Sequence, residues 1–221
     1  MRRLLVSLIL ITGALGQITR NGTCNFTNIL AVRDLNLTRL SGDWHQIRRI
    51  PNTEECGSCS STTISAKISN STISNITISN REVKNGKAKY RNGSITLSSG
   101  RNDGIQGQFT LKYGDNAYDS IFLATNYTDY AVLYSCKNVN NVTKNVWAWV
   151  YSRNVTLGKR EEYAIQSVID VQEDLKNAEW INSDHSKKAC QLNSGTVFGL
   201  STVFTALTFI ITAKGFIATE L

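Results

Sequence analysis

Apolar and polar residues alternate with a period of two through the middle of the 221-residue chain. This period predicts strands with one face against a core and the other towards solvent. The clearest such face consists of Ile105, Gly107, Phe109, Leu111 and Tyr113, and the same alternation groups Tyr130, Val132 and Tyr134, and then Trp147, Trp149 and Tyr151. The sequence therefore predicts an all-β domain built as an antiparallel meander.

Turn-forming dipeptides separate these strands at the spacing of hairpins. They are Asn85-Gly86, Asn92-Gly93, Asp103-Gly104 and Gly114-Asp115. Asn, Asp and Gly favour tight turns because they tolerate positive φ angles. We expect a turn at each of these positions.

A change to a period of three to four residues predicts one helix over residues 159–177. Its apolar stripe contains Ile165, Val168, Ile169 and Leu175, and Glu161 and Glu162 fall in the first turn, where the helix dipole favours acidic side chains. A short strand is expected near residues 179–181. One helix after a run of strands favours an up-and-down barrel with that helix packed against its outside.

The beginning of the chain has the pattern of a secretory signal. Two arginines are followed by an apolar run over residues 4–12 and by the small residues 13–16. This arrangement predicts a signal peptide over residues 1–16 and a mature chain that starts near Gln17.

The end of the chain carries an uncharged run over residues 196–213 that is diluted by Thr, Ser and Gly. Two interpretations are open. A spanning helix needs about 20 predominantly apolar residues, whereas a glycolipid (GPI) attachment signal needs a small-residue cut site before a discarded apolar tail. We predict the second, with attachment at Asn193, a removed tail over residues 194–221, and a protein held on the outer face of the plasma membrane; a secreted and a single-pass form are the alternatives.

One domain over residues 17–193 remains between these ends, which is long enough to bury a sizeable core. The net charge of +7 is scattered and forms no basic patch with interleaved aromatic residues, so nucleic acid is not an expected partner. An exported chain with Asn-x-Ser/Thr sequons is expected to carry glycans, mostly on its solvent face. The sequons are at Asn21, Asn25, Asn36, Asn70, Asn75, Asn92, Asn126, Asn141 and Asn154.

Five cysteines in an oxidising compartment predict two disulfides and one odd thiol. Their spacing does not assign the pairs. Cys56 and Cys59 form a C-x-x-C, which is typical of a redox pair or half of a zinc site. The chain has only two histidines, and neither has ligand spacing to this motif, so no metal or other cofactor is predicted.

Three segments, in this order, resemble the motifs of the lipocalin family. Gly42-x-Trp44 with Ile50-Pro51 is similar to the first motif, residues 125–127 are similar to the second, and residues 145–157, which contain Arg153, are similar to the third. The likeness is closest to the apolipoprotein D and Lazarillo branch, in which Lazarillo is a glycosylated, GPI-linked insect neuronal lipocalin. It implies an eight-stranded antiparallel barrel with one C-terminal helix outside.

The resemblance also implies roles for single residues. Cys24 would pair with Cys136, Cys59 with Cys190, and Cys56 would be the remaining thiol. Gly42, Trp44 and Arg153 would close one end of the barrel, with the guanidinium over the indole. Asn126 stands where the family usually has an aspartate, which puts the hydrogen bonds of that turn in doubt.

Lipocalins hold a small ligand in the barrel, and Trp149 matches a ligand-lining position of the apolipoprotein D-like pattern. The other candidates share the inward parity or lie nearby, and each has ordinary barrel core as its alternative role. They are Trp147, Tyr151, Phe109, Leu111 and Tyr134. Because no acidic residue alternates onto these faces, we expect an apolar ligand, with or without a carboxylate: a fatty acid, retinoid, sterol or bilin-like molecule.

The predicted function is therefore ligand carriage at the cell surface, with a role in neuronal growth or lipid protection, and not catalysis. Neither histidine has a nucleophile or carboxylate at a spacing that suggests a catalytic pair, and Cys56 has no evident base. The main alternative is a glycosylated, GPI-anchored adhesion module that works through its surface. A thiol redox protein is a third alternative.

Overall fold

The computed structural model describes residues 16–27, 29–69, 72–97 and 107–193. Most of the predicted signal peptide and the whole predicted tail therefore lie outside the described residues. So do the sequon at Asn70, the expected turn at Asp103-Gly104, and Ile105.

Ten strands and three short helices follow one another along the described chain. They are β1 (Ile18–Asn21), α1 (Leu37–Leu40), β2 (Gly42–Arg49), β3 (Ser58–Ser69), β4 (Thr72–Lys84), β5 (Lys87–Leu97), β6 (Gln108–Tyr113), β7 (Asn116–Thr125), β8 (Tyr130–Asn138), β9 (Thr143–Ser152), α2 (Lys159–Asp170), β10 (Ile181–Asn182) and α3 (Lys187–Cys190). Strands β2 to β9 pair antiparallel in sequence order, and β9 pairs back with β2. This closes an eight-stranded barrel and confirms the predicted fold.

The two remaining strands lie next to β9 and β2, the two strands whose pairing closes the barrel. β1 lies antiparallel to β9, and β10 lies antiparallel to β2. Both carry residues from the ends of the described chain onto the barrel wall. Both terminal segments of the described chain are therefore paired with the sheet.

The strands separate two apolar clusters, because successive side chains point to opposite faces of a sheet. The interior cluster lines the barrel and includes Trp44, Ile64, Ile76, Ile78, Ile95, Phe109, Leu111, Tyr113, Tyr118, Phe122, Leu133, Trp147, Trp149 and Tyr151. The outer cluster lies under α2 and includes Phe26, Ile50, Ile121, Val132, Tyr134, Val146, Val150, Ile165, Ile169 and Leu175. The helix therefore covers the outside of the barrel, as predicted.

The hairpin signals were partly right. Asn85 and Gly86 have φ angles of +54° and +69° and form the turn between β4 and β5, and Gly114 has a φ of +56° in the turn between β6 and β7. The turn expected at Asn92-Gly93 is wrong, because both residues lie inside β5. A Cβ atom at Gly93 would lie 2.6 Å from the ring of Tyr113, so glycine is needed there for close packing.

Helix α2 begins at Lys159 as predicted but ends at Asp170. Turns continue over residues 171–177, and they place Asp174 against the barrel. The carboxylate of Asp174 accepts a hydrogen bond from the hydroxyl of Tyr134 at 2.6 Å and lies 2.8 Å from Nζ of Lys144. These tertiary contacts compete with continuation of the helix.

Disulfides join both terminal segments to the barrel. Cys24 is bonded to Cys136 and Cys59 to Cys190, while Cys56 is free and exposed. Beyond Cys190, the backbone N–H of Asn193 donates to the carbonyl of Gly86 at 2.7 Å. In the described parts of the chain, no helix combines the length and apolar character needed to cross a membrane.

Candidate functional site

The barrel interior brings together five of the six side chains predicted to contact a ligand. Trp147, Trp149 and Tyr151 point inward from β9, and Phe109 and Leu111 point inward from β6. All five are buried. Aromatic contacts link this set to its neighbours, with the rings of Trp147 and Tyr118 edge to face at 4.7 Å.

Tyr134, the sixth predicted side chain, lies on the opposite face of the barrel wall. It is fully buried in the outer cluster, where its ring meets Phe26 at 5.9 Å and its hydroxyl binds Asp174. Strand parity explains the difference, because Leu133 and Ser135 flank Tyr134 and a neighbouring side chain must face the other way. Tyr134 is therefore not part of the interior surface.

One end of the barrel is closed by Trp44 and Arg153. The guanidinium carbon of Arg153 lies 3.7 Å from the centroid of the Trp44 ring, and the indole N–H donates to the carbonyl of Leu40 at 2.8 Å. The guanidinium donates to the backbone carbonyls of Arg39, Ser41, Asp43 and Tyr127. Gly42 has a φ of +103°, and a Cβ atom there would lie 3.0 Å from Nη1 of Arg153. We call this the closed end.

We expect Trp44→Phe and Arg153→Ala to be energetically coupled by about 0.5 to 2 kcal/mol in a double-mutant cycle of unfolding free energies. Removing the guanidinium exposes the indole, and the smaller phenyl ring of the Trp44→Phe variant gives the cation a weaker π contact. Urea unfolding of the wild type, both single variants and the double variant measures the coupling. Additive effects would contradict a direct contact.

The opposite end, the mouth, is crossed by the loop between β2 and β3, residues 50–57, which we call the mouth loop. Asn52 fixes its turn, because its side-chain oxygen accepts from the backbone N–H groups of Glu54 and Glu55 at 3.0 and 2.9 Å. This turn sends the two consecutive carboxylates to different groups of the barrel.

Glu55 enters the barrel interior and is 8% exposed. Its carboxylate accepts a hydrogen bond from the indole N–H of Trp149 at 2.9 Å and lies 3.5 Å from both Arg49 and Arg91. Burial raises the pKa of Glu55, while Arg91, the Trp149 hydrogen bond and Arg49 oppose that shift. The interior expected to lack an acid therefore receives one from the mouth loop, and Glu82 of β4 borders the same cavity as Glu55.

Glu54 binds the rim of the mouth. Its carboxylate accepts from Arg91 at 2.6 Å and from the hydroxyl of Tyr118 at 2.7 Å. The Arg91 guanidinium also lies 4.1 Å from the ring centroid of Tyr113. One loop carboxylate therefore connects β5 to β7 across the mouth.

Two cavities flank the mouth loop, and Thr53 and Glu54 border both of them. The larger, about 390 Å³, is lined mostly by polar and charged residues, among them Gln46, Ser60, Asn80 and Arg91. The smaller, about 290 Å³, is lined on the barrel side by Tyr118, Trp147 and Lys137. Trp147 is thus the predicted ligand residue that borders a cavity at the mouth.

Sequence reasoning missed the polar groups of the mouth, Arg49, Glu54, Glu55 and Arg91. The strand parity of Arg91 was readable in principle, since it shares the inward face of β5 with Gly93 and Ile95. The inward turn of Glu55 was not readable, because it depends on the local bonds of Asn52. The signal available for the loop was a pair of acids three and four residues after the chain's only proline.

Asn126, which stands where the family usually has an aspartate, makes three side-chain hydrogen bonds within its turn. Its side-chain oxygen accepts from the N–H groups of Asp129 and Tyr130, at 2.8 and 3.1 Å, and its amide nitrogen donates to the Asp129 carboxylate at 2.7 Å. These bonds hold the turn between β7 and β8, in which Tyr127 has a φ of +69°.

The sequons differ in exposure. Seven asparagines are exposed: Asn21, Asn25, Asn36, Asn75, Asn92, Asn141 and Asn154. Asn126 is half-buried, and its amide nitrogen is engaged in the turn. The expectation that most sequons lie on the solvent face is therefore met among the described residues.

The C-x-x-C motif is not a dithiol, because Cys59 is bonded to Cys190 and Cys56 is left alone. The sulfur atoms of Cys59 and Cys190 lie within 4.8 Å of a ring nitrogen of His185. Since both sulfurs are in the disulfide, they offer no thiolate to a metal ion.

The sequence and the fold of this chain are both similar to those of known proteins. The family model described as lipocalin / cytosolic fatty-acid binding protein matches residues 41–171. Insecticyanin-B of Manduca sexta is 28% identical over 208 residues, covering 88% of this chain and 95% of that protein. The solved structure of insecticyanin from the same organism is 24% identical with a TM-score of 0.64, over 80% of this chain and 94% of that one. Lobster apocrustacyanin A1 is 18% identical with a TM-score of 0.56, over 69% and 81%, and shares the fold.

Proposed function

This chain belongs to the lipocalin family, since the family model covers more than half of it, and we propose that it carries a small hydrophobic ligand in its barrel and does not act as an enzyme. The proposed ligands are a fatty acid, a retinoid, a sterol or a bilin-like molecule. The apolipoprotein D and Lazarillo branch is our proposal for its place within the family.

The observation that carries this proposal is the aromatic interior beneath a mouth closed only by a loop. Trp147, Trp149 and Tyr151 are buried within this interior. Cavities of about 390 and 290 Å³ adjoin the mouth loop. Ligand sites are mostly apolar concave pockets with a few convergent polar groups. Among the described residues at this end of the barrel, the mouth loop is the longest segment outside the strand pairing, so it is the element best placed to move when a ligand enters.

A retinoid at micromolar concentration is expected to quench the tryptophan emission of the wild type, and Trp149→Phe should lose a large part of that quenching. The reason is energy transfer from the interior indole to the conjugated ligand. Fluorescence titration with retinol measures this effect.

Trp180→Phe is the matched control, because Trp180 packs with the outer cluster and lies beneath the Arg48 guanidinium. It should retain most of the ligand-dependent change. If no apolar ligand alters the emission of the wild type, the carrier proposal is wrong and the adhesion alternative is favoured.

We also propose that the mature protein is extracellular, carries glycans at exposed sequons and is attached to the plasma membrane by a glycolipid at Asn193. Asn193 is exposed and lies beyond Cys190, so a cut after it leaves the disulfide of Cys190 intact. The small residues that follow it in the sequence suit a GPI cut site.

Phosphatidylinositol-specific phospholipase C is expected to release the protein from intact cells of its host. The released form should have lost residues 194–221, which mass spectrometry of its terminal peptide measures. A protein that stays bound and still contains residues 216–221 is instead a spanning one, and a protein found only in the medium is secreted.

A further inference from the structure

The contacts of Glu54 differ from those of an ordinary surface carboxylate. Its two partners, Arg91 and Tyr118, belong to barrel strands, whereas Glu54 itself belongs to the mouth loop. Arg91 is also positioned without Glu54, because it stacks on the ring of Tyr113. The donors, Arg91 and Tyr118, are therefore held on strands, whereas their acceptor, Glu54, is on a loop that can move away from the barrel.

One of the cavities beside Glu54 is bordered by a buried hydrogen-bond donor that has no acceptor among the described residues. Trp147 is 4% exposed, and its indole N–H has no hydrogen-bond partner among the described residues. Trp147 borders the cavity of about 290 Å³ together with Glu54 and Tyr118. A buried donor left unpaired is unfavourable, so an acceptor that enters this cavity would form a hydrogen bond with a group that lacks one.

The excess of basic over acidic groups at the mouth favours an anionic ligand. The basic groups at the mouth are Arg49, Arg81, Lys84, Lys89, Arg91 and Lys137, and the acidic ones are Glu54, Glu55 and Glu82. Departure of Glu54 would leave Arg91 with only the more distant Glu55 carboxylate, at 3.5 Å. A ligand that brings its own carboxylate would restore the lost contacts.

We propose that Glu54 is a built-in substitute for the carboxylate of the ligand. An amphipathic carboxylic acid displaces Glu54 from Arg91 and Tyr118, releases the mouth loop and places its apolar part in the aromatic interior. An otherwise identical alcohol lacks the charge to do so and binds more weakly. This inference rests on the proposed carrier function and names the class of its ligand.

The test compares retinoic acid with retinol on the full-length purified protein, by tryptophan fluorescence titration. Glu54→Gln keeps the size of the side chain but competes less well for Arg91, and Arg91→Gln removes the site. Because a charge-assisted hydrogen bond exceeds a neutral one by about 1 kcal/mol or more, Glu54→Gln should tighten retinoic acid binding about fivefold to tenfold, and Arg91→Gln should weaken it about tenfold or more. Retinol affinity should change little in both variants, which also shows that they are folded.

Glu173→Gln is the matched control, because Glu173 is an exposed acid outside the barrel, after α2, and its loss changes the net charge equally. It should leave both affinities unchanged. If Glu54→Gln changes the two affinities equally, or changes neither, the substitute role is refuted while the carrier function stands. If the wild type binds neither retinoid, the carrier function itself fails for this ligand class, and the inference fails with it.

Discussion

Replacing Glu55 with alanine is expected to lower the free energy of unfolding by about 3 to 5 kcal/mol, because it leaves a buried cation without its counter-charge. Arg49 is 5% exposed, and its Nε atom lies 3.5 Å from the Glu55 carboxylate. The same substitution removes the acceptor of the Trp149 indole N–H. Urea unfolding followed by far-ultraviolet circular dichroism measures the loss.

The double variant Arg49→Met with Glu55→Leu separates charge burial from packing. Replacing a buried ion pair with apolar residues of similar size is often neutral or stabilising by about 1 to 4 kcal/mol, so this variant should recover most of the stability that Glu55→Ala loses. Glu55→Gln, which keeps an acceptor for Trp149, should fall between the alanine variant and the wild type. A Glu55→Ala protein as stable as the wild type would show that the carboxylate is not buried beside Arg49.

The second large effect concerns the disulfide between Cys59 and Cys190. It closes a loop with a sequence separation of 131 residues, for which the chain-entropy account gives about 5 kcal/mol as an upper figure. Replacing both cysteines with alanine should lower the unfolding free energy by several kcal/mol, up to that figure. Non-reducing peptide mapping of the wild type should find Cys59 joined to Cys190 and Cys24 joined to Cys136.

Cys56→Ala provides the internal control three residues away. Cys56 is exposed and its sulfur is free, so the change should stay within about 0.5 kcal/mol, the usual range for surface substitutions. A large loss in this variant, together with a peptide that joins Cys56 to Cys59, would refute the observed pairing.

The barrel could be predicted from the sequence because its signals are local or repeated. A period of two from Phe109 to Tyr113 and from Trp147 to Tyr151 determines which side chains share a face. The length of α2 could not be read in this way, because apolar spacing continues to Leu175 while the chain leaves the helix at Asp170. What ends it is the placement of Asp174 against Lys144 and Tyr134, which are distant in sequence.

The residues of the candidate site also fall into two groups, those that strand periodicity predicts and those that it does not. The indoles and rings on β9 and β6 were found by parity. Tyr134 is on the face of β8 that it shares with Tyr130 and Val132, and that face lies outside the barrel. The charged groups of the mouth depend on a loop, and loops have no periodicity to read. Glu55 is inside because of the side chain of Asn52, and Arg91 meets Glu54 across 37 residues of chain.

The position of Asn193 determines how the molecule would stand on a cell. Its backbone and side chain bind the carbonyls of Gly86 and Asn85, in the hairpin whose flanking residues Lys84 and Lys89 line the larger mouth cavity. A glycolipid attached at Asn193, as proposed, would therefore tether the barrel by its open rim, with the mouth turned down towards the lipid headgroups. In that orientation the two lysines lie on the side of the barrel that faces the lipid headgroups, and an amphipathic acid could pass between the outer leaflet and the barrel without crossing bulk water.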